Sequence, residues 1–79
     1  MSKYSVDRGF MTFENYPYSD PEMGAVQSVF RIEHICQVYA CDSMGHKYTC
    51  VGLINGIELR GFAPIDKIIE VWKNSIQGK

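Results

Sequence analysis

A chain of 79 residues with eight basic and nine acidic side chains is too short for two cores, because cores rarely divide below ~250 residues. It is also too evenly charged for a long-range field to draw it to nucleic acid or anionic lipid. Hydrophobic residues at 46% and charged residues at 22% exclude disorder, and no apolar run approaches the ~20 residues that span a bilayer. The expectation is a single small globular domain over residues 1–79 that does not engage a membrane.

The first ten residues, MSKYSVDRGF, lack the apolar stretch of a secretory signal. Three cysteines form an odd set without the paired spacing of a disulfide framework. Reduced thiols in the cytoplasm are therefore expected.

Residues 1–24 are rich in aromatic side chains, with Tyr4, Phe10, Phe13, Tyr16 and Tyr18 holding half of the chain's ten. Gly9 to Tyr16 reads as a strand and the stretch from Tyr16 to Glu22 with its two prolines as a loop, with Asp20-Pro21-Glu22 as the cap of a short helix being the alternative. Next comes a long alternation. Phe30, Ile32, His34, Cys36, Val38 and Ala40 point one way, and Arg31, Glu33, Ile35, Gln37, Tyr39 and Cys41 point the other, as in one strand or two with a bend. A turn over Asp42 to Lys47 follows, and pairing Asp42 with Tyr48 would set Ala40 opposite Cys50 and Val38 opposite Gly52.

Asn55-Gly56 between Ile54 and Ile57 predicts a two-residue type I′ hairpin, since both positions tolerate positive φ. That turn pairs Ile54 with Ile57, Gly52 with Leu59 and Cys50 with Gly61. After Ala63, Pro64 suits the first turn of a helix. Ile65, Ile68, Ile69, Trp72 and Ile76 recur at helical spacing over 64–76. Trp72 is expected to lie over the small residues Ala40, Cys50, Gly52 and Gly61. The fold class that follows is α+β: an antiparallel meander of three to four strands over 29–62, with one C-terminal helix packed on one face.

All three cysteines and both histidines fall between His34 and Cys50, which raises the question of a metal or a reactive thiol. Structural zinc sites use C-x2–4-C knuckles, and none occurs here. Cys36 and Cys50 would share a face but lie roughly 13 Å apart at ~3.3 Å per residue. They read as small core side chains, Cys41 as facing the opposite way, and no metal or other cofactor is implied. Cys41, Asp42 and His46 around one turn come nearest to a catalytic set, but no oxyanion donors accompany them. Signatures such as G-x-S-x-G or H-E-x-x-H are missing, so no enzyme activity is expected.

Leu53-Ile54-Asn55-Gly56-Ile57-Glu58-Leu59-Arg60-Gly61, followed by Asp66 and Lys73-Asn74, resembles the first motif of the bacterial Sm-like RNA chaperones. That resemblance implies strands of a small ring-forming barrel that binds RNA. This chain departs from the pattern with Gly52 at an aromatic position, Glu58 at a basic one, Ile68 after the aspartate and Pro64 within the strand.

With charge near zero and no catalytic constellation, the leading expectation is a non-catalytic protein-binding module. It would be a small inhibitor or adaptor of the kind that phages and mobile elements use against host machinery. A nucleic-acid-binding β-domain is the alternative. Tyr16, Tyr18, Tyr39, Phe62 and Arg60 are the candidate partner-binding residues, and a homodimer is a further expectation from an apolar second sheet face.

Overall fold

The structure is a computed structural model that describes residues 3–77. Its strands are β1 (Tyr4–Asp7), β2 (Phe10–Asn15), β3 (Val26–Arg31), β4 (Ile35–Ser43), β5 (His46–Leu53) and β6 (Glu58–Gly61), followed by the helix α1 (Ile65–Gln77). Short 3₁₀ turns occupy Pro21–Met23 and Ile32–His34. The chain is α+β, with two antiparallel three-stranded sheets, β1-β2-β3 and β4-β5-β6, and one C-terminal helix. The long alternation is thus two strands belonging to different sheets, and Ile32–His34 supplies the break. Asp20 caps the first 3₁₀ turn by accepting from the Glu22 N–H at 3.0 Å.

Both tight hairpins use a residue followed by glycine at positive φ. Arg8 and Gly9 (51° and 85°) join β1 to β2, while Met44 and Gly45 (52° and 79°) join β4 to β5, so each is a two-residue turn with the primed twist. The second turn corrects the expected register, because Ser43 pairs with His46, Cys41 with Tyr48 and Tyr39 with Cys50. The Asn55-Gly56 hairpin is also one residue out from expectation. Leu53 accepts from Gly56 at 2.9 Å and donates to Ile57 at 2.9 Å, which leaves Ile54, Asn55 and Gly56 in a three-residue loop. Gly56 takes the positive φ of 88°, and the Asn55 side chain accepts from the Ile57 N–H at 3.1 Å.

Burial explains the shift. A one-residue slip exchanges the two faces of a strand, and this register sets Leu59 opposite Val51, where both join the core. Val51 and Leu59 pack there with Met11, Phe13 and Phe30 from the first sheet, Ile32 and Ile35 from the crossing, and Ile68 of the helix. Trp72 packs at the edge of that cluster and does not cover the glycines. Gly61 lies instead against Phe13 and the Glu14 carbonyl, and Gly52 under the Gln37 side chain. Cys36 is exposed because the ladder bulges between Ile35 and Gln37, so it is not a core side chain. Thr49, buried on the core face, donates to the Ala63 carbonyl at 2.6 Å and ties the start of the helix to the sheet.

The sheets meet where β2 ends. Tyr16 N–H donates to the Arg60 carbonyl at 2.8 Å, and the buried Asn15 side chain accepts from the Arg60 N–H at 3.0 Å. Asp66 to Asn74 lie within the helix, so the part of the Sm-like motif expected to form barrel strands is helical here.

Candidate functional site: an apolar groove beside the edge of β3

Beyond that junction the sheets diverge and leave a groove of about 430 Å³. One wall is β3 from Ser28 to Arg31. The β5–β6 hairpin contributes Leu53, Ile54, Asn55, Ile57 and Leu59, and Phe10, paired with Arg31, and His34 line the groove near the 3₁₀ turn. The 3₁₀ turn closes one end, where the Ile54 N–H donates to the His34 carbonyl at 2.9 Å. Phe10, Val29, Ile54 and Ile57 keep 48, 65, 65 and 51% of their surfaces exposed. A contiguous apolar surface of this kind on so small a chain is characteristic of an interaction site.

β3 borders the groove with an open edge, since among the described residues it pairs only with β2. The Ile32 N–H donates to the Gly9 carbonyl at 2.9 Å, and in an antiparallel ladder bonded pairs recur every second residue. Phe30 and Ser28 therefore spend their backbone groups on Met11 and Phe13, while those of Val29 face the groove. The ionisable side chains lining the groove are Arg31 and His34. Arg31 pairs with Glu33 at 2.5 Å, both side chains being substantially exposed, and stacks 6.0 Å above the Phe10 ring.

The residues proposed from sequence lie elsewhere. On the sheet face away from the core, Tyr16 and Phe62 pack edge to face at 5.0 Å, and Phe62 stacks on buried Tyr48 at 4.8 Å. Arg60 donates to the Ser19 hydroxyl at 2.7 Å, and the Tyr39 hydroxyl donates to Glu58. Tyr16, Tyr39, Arg60 and Phe62 are half-buried, whereas Tyr18 is 68% exposed. The groove is not legible in the sequence because its walls come from segments far apart in the chain, 28–31 and 53–59. The local signal was the pair of isoleucines flanking a turn, which the hairpin itself did not require.

The cysteine and histidine cluster disperses. His34 faces the groove, His46 packs against Phe62 at 6.1 Å, and Cys41 shares a face with Cys50 rather than opposing it. Among the described residues no three His, Cys, Asp or Glu side chains come together at metal-binding distance. Burial, with a hydrogen bond from the Cys50 thiol to neighbouring Cys41, pushes the Cys50 thiol up to about 12, against partial opposition from Arg60. It is therefore a protonated thiol at neutral pH. The hydrogen bond to Glu58 leads the causes that raise Tyr39 to about 12, and burial leads those that raise Tyr16 and Tyr48 above 10.0.

These shifts set an alkaline limit. A folded-state pKa above the unfolded value contributes stability that is fully present below the unfolded pKa and is lost as pH rises towards the folded one. The urea midpoint is expected to hold steady at neutral pH and to fall from about pH 9, the ordinary cysteine value, through about 12. In Cys50→Ala the onset should move up to about 10, where the tyrosines begin. A midpoint that stays flat to pH 11 would contradict this.

Tyr48 supplies a second expectation. Tyr48 is 1% exposed, yet its hydroxyl has no hydrogen-bond partner among the described residues, and an unmade hydrogen bond in the interior is destabilising. Tyr48→Phe should retain the ring stacking and raise Tm by a few degrees in a calorimetric scan, and a lowered Tm would show that the hydroxyl is satisfied.

No protein family, characterised protein or solved structure matches this chain. Among the described residues no helix is long and apolar enough to cross a membrane.

Proposed function

We propose that this chain is a non-catalytic protein-binding module, a small inhibitor or adaptor that acts by occupying a partner's surface. The observation that supports this reading is the groove beside β3. Four large apolar side chains keep about half or more of their surface exposed around one concavity, while others such as Phe13 and Ile68 are fully buried. Leaving such surface in water forgoes about 25 cal/mol per Å² of burial, and a partner's apolar side chains would recover it. The backbone edge and the Arg31 end add the polar contacts that give orientation.

Capture from a lysate of the native host, with mass-spectrometric identification, tests this. Ile57→Asp places a charge on the groove wall, and Ile76→Asp places one on the helix, where Ile76 is 59% exposed. The first should weaken capture of the principal partner by roughly tenfold or more, and the second should leave it unchanged. Equal capture by both variants would defeat the reading.

A further inference from the structure

We infer that the groove recognises an extended segment of the partner, which adds as a strand to the open edge of β3 and presents a carboxylate to Arg31 and His34. This rests on the protein-binding reading above and specifies its mode.

Three observations carry it. First, the backbone groups of Val29 face the groove and, among the described residues, β3 has no paired strand on that side, so an added strand would find ladder hydrogen bonds unspent, as in other cases of strand addition. Second, the apolar side chains stand where alternate residues of such a strand would point. Val29 lies on one face of β3 with Phe10, Phe30 lies on the other, and Ile54 and Ile57 form the facing wall. A strand sends successive side chains to opposite faces, so every second residue of an added strand would turn to the same one of these sets. Third, the ionisable groups lining the groove are both basic and lie towards the end closed by the 3₁₀ turn. The Arg31–Glu33 pair is exposed and exposed pairs hold weakly. A guanidinium has five N–H donors, so Arg31 keeps donors for an incoming carboxylate.

The opposite wall argues for a single extended segment over a second copy of this chain. A copy approaching through its own β3 would carry β2 alongside it, on the side where the β5–β6 hairpin stands. A lone segment has no such encumbrance, and a volume of about 430 Å³ falls within the range of small ligand sites.

The test uses the full chain and two synthetic peptides, acetyl-(Thr-Val)₃-Thr-Glu-amide and the same peptide ending in lysine amide, titrated into ¹⁵N-labelled protein. Shifts are expected at residues 27–31 and 53–59, with the glutamate peptide binding about tenfold tighter. Val29→Pro removes one edge donor while sparing the ladder to β2, as an edge position permits, and should weaken the glutamate peptide about tenfold. Its unchanged circular dichroism would show that it folds. Binding without preference for the acidic end, shifts outside the groove, or no effect of Val29→Pro in a folded variant would each overturn the inference. A dimer in sedimentation of the unliganded protein, dissolved by Val29→Pro, would assign the edge to a second copy and also overturn it. The two readings fail separately. Partner capture lost in Ile57→Asp but retained in Val29→Pro leaves the groove as a binding site and removes the added strand.

Discussion

Phe13→Ala should cost about 3–5 kcal/mol, the range for truncating a fully buried aromatic residue. Phe13 has no exposed surface. It packs edge to face with Phe30 at 6.5 Å, and its ring rests on Gly61 across the junction of the two sheets. Its removal therefore leaves a cavity between layers that the hydrogen bonds of Asn15 and Tyr16 to Arg60 hold in place, so collapse to fill the space is restricted. A chain of this length has on the order of 4–12 kcal/mol of total stability at typical values per residue. A large fraction of the molecules should therefore unfold at 37 °C, visible as a low urea midpoint. Phe10, three residues earlier and 48% exposed on the other face of β2, is the control, and its alanine variant should cost under about 1 kcal/mol. Equal losses at the two positions would mean that the core lies elsewhere.

Gly61→Ala is the second large effect, and it acts by overfilling. A Cβ at Gly61 would fall far inside van der Waals contact with the Glu14 carbonyl oxygen and 3.1 Å from the Phe13 ring. The φ of Gly61 is not in the left-handed region, so the cost is steric and comes from a backbone atom that no rotamer change can move. Overpacking of this kind costs typically 1–3 kcal/mol, and about 3 kcal/mol is expected because the carbonyl is pinned by its neighbours. Gly52→Ala makes the comparison, as its Cβ would meet the Gln37 side chain at 2.7 Å. Gln37 is exposed and can swing into solvent, which limits the loss to about 1 kcal/mol. A Phe13→Leu background should not rescue Gly61→Ala, since the carbonyl contact remains. Rescue there would place the clash on the ring instead. Chemical denaturation of the four variants decides the question.

The parts of the fold legible in the sequence were those governed by local periodicity. The spacing of Ile65, Ile68, Ile69 and Trp72 specified the helix, Asp20-Pro21-Glu22 offered a short-helix cap as an alternative to a loop, and alternation identified strand segments. Register was not legible. Asn55-Gly56 favours a two-residue turn by its own backbone preference, but the core needs Leu59 beside Val51, and burying two large side chains outweighs a turn preference. At Met44-Gly45 the converse held, because a residue without strong turn preference took positive φ beside a glycine. The candidate patch of Tyr16, Tyr18, Tyr39, Phe62 and Arg60 was chosen by residue type. The structure shows four of these half-buried and tied to neighbours, while the apolar groove lies between β3 and the β5–β6 hairpin.

By itself, the sequence determined that this is one small α+β chain of balanced charge with a C-terminal amphipathic helix. Composition and spacing along the chain suffice for that. Only the tertiary structure decided which face each strand turns inward, that Cys36 sits outside while Cys50 sits inside, and that β3 ends beside an open groove. Each of these depends on pairing between distant segments. A one-residue change in that pairing exchanges inside for outside without altering any local signal.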